Sequence, residues 1–206
     1  MKLLSIQSSV RKQGSISRSL SADFLSAIKS RMTVPVVQRD VGINPPAHPT
    51  ELWTAANYTP PEERTDAMCS ALAESERLIE ELLNADHLLM GVPMYNFSVP
   101  STLKAYLDNV IRINRTFTFD REAYTFQGLA TGKKALIITP SAGNFVEGTA
   151  MGSMNFCDPY LRSVLGFIGI EDVIVVPVPD QFMSDEVSGR SLETARAQLM
   201  EIAAAW

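Results

Sequence analysis

Five short runs dominated by Val, Ile and Leu recur along the 206-residue chain, separated by longer stretches of helical periodicity. The runs are Leu3 to Ile6, Val34 to Val37, Leu88 to Val92, Ala135 to Thr139 and Val173 to Val178. Strands this short that lack polar alternation are apolar on both faces, as in a parallel sheet covered by helices on both sides. The intervening segments supply those helices. Ile16, Leu20, Phe24 and Ile28 repeat at four-residue intervals, and Met68, Leu72, Ile79 and Leu83 share one face of a helix that Thr65 is placed to cap. Leu103, Tyr106, Leu107 and Val110 continue the pattern, as do Met154, Leu161, Leu165 and Ile168, and a last helix covers about Leu192 to Ala204. The alternation predicts an α/β fold, a doubly wound five-stranded parallel sheet with helices on both faces, as a single domain over 1–206. Such sheets bind ligands beyond the carboxyl ends of their strands, which directs attention to the loops after strands one, three and four.

Composition removes several function classes. The net charge of -5 and pI of 5.1 give no basic face for a nucleic-acid backbone, so any phosphate bound here is held mostly by backbone amides and hydroxyls. Cys69 and Cys157 are far apart, as are His48 and His87, and none sits in a metal-site or redox-pair spacing. Both cysteines are expected to be buried small hydrophobes and His87 a structural residue. No apolar run approaches the ~20 residues of a membrane span, and Met1 to Ile6 is too short for a signal peptide, so a cytoplasmic location is expected. Asp108 and Arg112, four apart on a predicted helix, read as a solvated ion pair. The segment from Val41 to Arg64 is long for a βα connection and rich in Pro; it reads either as a substrate-side lid or dimer contact, or as a cover for the sheet edge.

The first loop, Gln7-Ser8-Ser9-Val10-Arg11-Lys12-Gln13-Gly14-Ser15-Ile16-Ser17, runs directly into a helix. Free amides and the positive end of the helix dipole favour a phosphate there, and Ser9, Ser15 and Ser17 add hydroxyl donors; alternatively Ser15 and Ser17 serve only as helix caps. Neither G-x-G-x-x-G nor G-x-x-x-x-G-K-[ST] occurs, which disfavours a resident dinucleotide or NTP hydrolysis. The loop after strand three, Val92-Pro93-Met94-Tyr95-Asn96-Phe97-Ser98-Val99-Pro100, offers apolar contact for a planar ring and a few hydrogen-bonding groups. Pro140-Ser141-Ala142-Gly143-Asn144 after strand four lets backbone amides approach a ligand edge. Together the three loops fit a flavin mononucleotide.

These residues resemble the FMN-dependent NADH:quinone oxidoreductases, also called azoreductases, of the bacterial flavodoxin-like class. The most specific stretch is Pro93-Met94-Tyr95-Asn96-Phe97, followed by Leu103-Lys104, Tyr106, Asp108 and Thr116-Phe117; Thr131-Gly132-Lys133-Lys134 and Leu165-Gly166-Phe167-Ile168-Gly169 are similar too. The resemblance implies a flavodoxin-like fold, bound FMN, NADH or NADPH as donor, quinones, azo compounds and nitroaromatics as acceptors, and ping-pong exchange. It implies that Ser9, Ser15, the Ile16 backbone and Ser17 bind the FMN phosphate, and that Met94, Tyr95, Asn96 and Phe97 lie against the isoalloxazine. Pro140, Ser141, Ala142 and Gly143 stand where the family usually shows Ser-Arg-Gly-Gly, so an arginine is lost and Pro140 has no amide to donate. Family members are homodimers with flavin sites near the subunit boundary. Phe117, Phe119, Tyr124 and Phe126 form an aromatic cluster that lines the pocket or interface, or packs beneath a surface loop; Phe117, Phe119 and Tyr58 are the substrate-side candidates. Hydride transfer at the flavin N5 requires no catalytic side chain. Two other readings remain open at this point: a flavodoxin-type electron carrier and a flavin-free α/β domain with a vestigial site.

Overall fold

The computed structural model describes all 206 residues. In chain order the elements are β1 (Leu3–Gln7), α1 (Ile16–Arg31), β2 (Val36–Asp40), α2 (Glu51–Tyr58), α3 (Asp66–Asn84), β3 (His87–Gly91), α4 (Ser101–Val110), β4 (Phe117–Asp120), β5 (Thr125–Gly128), β6 (Lys134–Pro140), α5 (Asp158–Phe167), β7 (Asp172–Val178) and α6 (Asp185–Ala205). Five of the strands form one parallel sheet in the order β2-β1-β3-β6-β7. The order reverses between β1 and β3, and the crevice beside that switch point is where doubly wound sheets hold ligands.

Two cores flank the sheet, and the pleat decides which residue enters which. Leu4, Ile6, Leu88, Met90, Ala135 and Ile137 face α3, α4 and α5, packing on Leu78, Ile79, Leu103, Leu107, Leu161 and Leu165. Leu3, Leu89, Leu136, Ile138 and Val176 face the other way, onto Leu20, Phe24 and Ile28 of α1 and Ala195 and Leu199 of α6. A strand buried on both faces needs apolar residues at every position, which accounts for its near-continuous aliphatic run. Thr65 caps α3 as expected, its hydroxyl accepting from the Met68 amide at 3.3 Å.

Several expectations are corrected. β2 begins at Val36 and runs through the polar residues Gln38, Arg39 and Asp40. It lies at the sheet edge, where polar side chains are tolerated, and Arg39 is held there by Glu81 of α3. Apolar content therefore marked the start of this strand too early. The segment from Val41 to Arg64 contains α2 and a 3-10 turn at Pro61–Glu63; Thr50 caps α2 through the Trp53 amide. α5 starts at Asp158, so Met154 falls in a preceding 3-10 turn, and α6 starts at Asp185, ahead of Leu192. Cys157 is buried, but Cys69 is exposed, because its position on α3 turns away from the sheet.

Asp108 and Arg112 do not pair. α4 ends at Val110, so the four-residue helical spacing does not extend to Arg112, and Asp108 bonds Lys104 instead. Arg112 is turned inward, its side chain fully buried. Its Nε donates to Asn57 Oδ1 at 2.9 Å, and one terminal nitrogen donates to Ser75 Oγ at 3.0 Å and Glu76 Oε1 at 2.8 Å, with the guanidinium 5.7 Å from the Trp53 ring centre. Burial lowers its pKa, partly countered by Glu76, which also binds Arg115 at 2.6 Å. Trp53 and Asn57 belong to α2, so this buried charge cluster ties α2 to α3 and to the end of α4.

A further hairpin, absent from the expected strands, pairs β4 with β5 antiparallel and carries the aromatic cluster. Phe119 stacks on Phe126 at 4.5 Å and meets Tyr124 at 5.5 Å, while Phe117 contacts Phe167 of α5 at 4.7 Å. Gly128 seats the hairpin: a Cβ there would lie 2.2 Å from the Gly169 amide nitrogen, so only glycine permits this approach.

Candidate functional site

The loops after β1, β3 and β6 are joined by hydrogen bonds at the carboxyl edge of the sheet. The Ser8 amide donates to the Gly91 carbonyl at 3.0 Å, and the Val10 amide reaches the Tyr95 hydroxyl at 3.4 Å, linking the first loop to the second. The Met94 amide donates to the Pro140 carbonyl at 2.8 Å, linking the second to the third. Three segments distant in sequence therefore meet at one edge of the sheet.

In the first loop Ser9, Ser15 and Ser17 are all buried, and Ile16 is half-buried. Ser15 occupies the N-cap position of α1, but its hydroxyl caps nothing; it lies 3.3 Å from the Ser17 hydroxyl. The amides of Gly14, Ser15, Ile16, Ser17 and Arg18 have no acceptor within the chain, and the first turn of α1 carries no acidic residue. A helix start left uncapped, with hydroxyls and amides gathered at it and Lys12 beside it, has the chemistry that suits an anion. The reading of Ser15 and Ser17 as mere caps is not what the geometry shows.

Tyr95 to Ser98 close a two-residue turn, each donating its amide to the other's carbonyl at 2.9 and 3.1 Å. Its central residues have positive φ, 48° at Asn96 and 71° at Phe97, as in a type I′ turn. Asn tolerates that region, but a phenylalanine held there costs on the order of 1–3 kcal/mol. Phe97 is 41% exposed and meets Phe145 edge to face at 5.8 Å, while Met94 and Tyr95 are half-buried. The strain and the exposed ring at Phe97 are features that core packing does not explain. Phe97→Gly relieves the strain and removes one aromatic contact, so its melting temperature is expected within about 3 °C of wild type in a thermal scan. A drop of more than about 8 °C would show that the ring is part of the core.

In the third loop Pro140 is the last residue of β6 and gives its carbonyl to Met94. The carbonyls of Ser141, Ala142 and Gly143 accept from the amides of Gln181, Phe182 and Asp180 at 3.1, 3.0 and 3.3 Å. Carbonyl and amide of a trans peptide point in opposite directions, so the amides of Ala142, Gly143 and Asn144 face away from that strap and have no acceptor in the chain. The Ser141 hydroxyl turns inward to the Gly143 carbonyl at 2.9 Å and supplies no cation in place of the missing arginine. Free backbone donors in this loop therefore survive the departure from the resembled pattern.

Of the substrate-side candidates, Phe117 and Phe119 make their aromatic contacts away from these three loops. Phe117 and Phe119 are half-buried in the hairpin cluster, and Tyr58 is 71% exposed at the end of α2 with no aromatic partner. The structure also adds groups that sequence reading missed. Arg18 donates to the Ser9 carbonyl and to both Asp40 carboxylate oxygens, and the segment following β7 holds the third loop. No local pattern marks such long-range contacts; in the fold, Asp180 starts the strap with a positive φ of 63°.

The chain matches a family model described as flavodoxin-like fold over residues 1–203. It is 40% identical over 207 residues to a protein of Nostoc punctiforme named FMN-dependent NADH:quinone oxidoreductase, covering 100% of each chain. A protein of the same name from Azotobacter vinelandii is 39% identical, with 98% of this chain and 99% of the relative covered. Among solved structures, an azoreductase from Bacillus anthracis superposes with a TM-score of 0.90 at 20% identity over 100% of both chains. An FMN-dependent NADH-azoreductase of the same organism, solved in complex with FMN, superposes at 0.88 with 22% identity, covering 99% of this chain and 98% of its own. The structural likenesses establish the fold, and the full-length sequence relatives establish the branch. This chain belongs to the flavodoxin-like family, in the branch whose members are the FMN-dependent NADH:quinone oxidoreductases.

Proposed function

We propose that this chain is an FMN-dependent reductase that passes hydride from NADH or NADPH to quinones and azo compounds, with nitroaromatics as further acceptors. The observation that carries this reading is the uncapped start of α1, where five amides without acceptors and three buried serine hydroxyls converge beside the Met94–Phe97 turn. The chemistry of that cradle suits a phosphomonoester, and the Met94–Phe97 turn and the free amides of Ala142, Gly143 and Asn144 would be available to a flat ring attached to it. FMN, when bound, supplies the hydride-transfer chemistry at its N5. The protein's part is binding and orientation. Ser9, Ser15, Ser17 and the Ile16 amide would hold the phosphate, Met94, Tyr95 and Phe97 would contact the ring, Asn96 and the third-loop amides would donate to its polar edge, and Pro140 anchors that loop through the Met94 amide. Those amide dipoles favour negative charge on the reduced ring.

Donor and acceptor would use the same exposed side of the site in turn, a ping-pong order. Tyr124 and Phe126 are 80% and 55% exposed, and an aromatic face of this kind supports a homodimer in which a second copy brings Phe117, Phe119 or Tyr58 toward the site. No helix is long and apolar enough to cross a membrane, and the proposed place of action is the cytoplasm. Steady-state oxidation of NADH and NADPH at several fixed benzoquinone concentrations tests the reading, with the FMN-loaded chain and light scattering for its mass. Quinone-dependent turnover with parallel double-reciprocal lines is expected, and Phe97→Gly is expected to lose at least ~10-fold in kcat/KM, a transition-state loss of about 1.4 kcal/mol. Absence of quinone-dependent turnover would sink the enzyme reading, intersecting lines the ping-pong order, and a monomer mass the dimer.

A further inference from the structure

The first loop is fixed from outside by an ion pair whose members lie on α1 and at the end of β2. Arg18 donates to the Ser9 carbonyl at 2.6 Å and to Asp40 Oδ1 and Oδ2 at 2.7 and 2.6 Å. Asp40 Oδ1 in turn accepts from the Ile43 amide at 3.1 Å. Gly42 closes the junction: a Cβ there would lie 2.2 Å from the Ser9 carbonyl oxygen, so β2 and the loop are packed backbone to backbone. Burial disfavours charge on Asp40, but Arg18 and the amides of Ile43 and Gly42 outweigh it and hold the carboxyl below its usual range.

A cation in the first turn of a helix opposes the helix dipole, and a carboxylate near a phosphate site repels the ligand. Both groups therefore stand where simple electrostatics disfavours them, and their local charges cancel. What the pair does supply is geometry: a planar fork that grips a carboxylate with two donors and a loop carbonyl with a third. We propose that Arg18 and Asp40 are positioning residues for the phosphate of FMN, acting through the Ser9 carbonyl to hold the serine loop in its binding shape. The proposal rests on the FMN reading given above.

Its sign separates it from a direct charge effect. If Arg18 served as counter-ion to the phosphate, Asp40→Asn would free its charge and tighten FMN binding. If the pair positions the loop, Asp40→Asn loosens Arg18 and weakens binding although a negative charge has been removed. The damage is then confined to the phosphate, so riboflavin, which has the same ring and no phosphate, is unaffected.

The test is fluorescence-quenching titration of flavin-free protein with FMN and, separately, with riboflavin, for wild type, Arg18→Ala, Arg18→Lys and Asp40→Asn. Arg18→Ala and Asp40→Asn are expected to bind FMN at least ~10-fold more weakly, with riboflavin affinity within about twofold of wild type. Arg18→Lys is expected to recover part of the loss, since a point charge can hold one of the two partners but not both. Unchanged or tighter FMN binding by Asp40→Asn overturns the proposal, and so does an equal loss for FMN and riboflavin, which marks general damage to the fold. A wild-type chain that does not prefer FMN to riboflavin fails at the earlier step, the assignment of the serine loop to phosphate.

Discussion

Ser17→Asp is expected to bind FMN at least ~100-fold more weakly than wild type, about 2.7 kcal/mol, while its flavin-free form melts within a few degrees of the parent. The two halves of that expectation have opposite causes. Ser17 is buried at the second position of α1, among amides that have no acceptor. A carboxylate there is stabilised by those amides and by the helix dipole, so the empty protein tolerates it. The same carboxylate fills the anion cradle and repels a phosphate dianion across a few ångströms of partly desolvated space. Isothermal titration with FMN measures the first half and thermal denaturation of the flavin-free chain the second. Ordinary FMN affinity in this variant would remove the phosphate from the start of α1.

Arg112→Ala is expected to cost about 3 kcal/mol of stability, because truncating one partner of a buried ion pair leaves the others without compensation. Asn57 and Ser75 lose a donor while buried, Glu76 loses one of its two arginines, and the Trp53 ring loses the guanidinium beside it. For a chain of this size the loss corresponds to roughly 6–12 °C in melting temperature. Arg112→Lys is expected to recover little, since an ammonium cannot span three acceptors in a fork. Equilibrium unfolding in urea checks the value. FMN affinity per folded molecule is expected to stay near that of wild type, because the cluster shares no hydrogen bond with the three loops. A melting temperature within 2 °C of wild type would show that Glu76 and Asn57 are satisfied by water once the arginine is gone.

The parallel sheet was legible because burial on both faces forces apolar residues at every strand position, and four of the five aliphatic runs fall within two residues of the strands they mark. β2 was displaced for the complementary reason. An edge strand does not need that pattern, so Gln38, Arg39 and Asp40 look like loop in the sequence and are strand in the fold. The β4–β5 hairpin was missed because its strands are four residues each, nowhere fully buried, and pair within the hairpin rather than with the main sheet. Arg112 misled because helical spacing was extended past the point where α4 stops. Burial of a charged residue depends on acceptors from α2 and α3, which no local pattern shows.

At the site, residue type and loop position single out the serine loop and the Met-Tyr-Asn-Phe turn as candidates, and the fold brings both to the carboxyl edge of the sheet. What the sequence could not show was which donors are already used. Ser15 has the chemistry of a helix cap, and only the geometry shows its hydroxyl turned to Ser17 instead. The fate of the third loop was equally hidden. Its free amides depend on Asp180, Gln181 and Phe182 engaging the opposite side of each peptide, a contact between segments far apart in the chain.

The most direct measurement is an anaerobic absorbance titration of the FMN-loaded chain with NADH and then NADPH, followed by addition of benzoquinone. The flavin bands are expected to bleach with at least one nucleotide, without a stable semiquinone band, and to return on adding the quinone. Bands that persist with both nucleotides, or a semiquinone that accumulates, would contradict two-electron reduction and leave a one-electron carrier on the same fold.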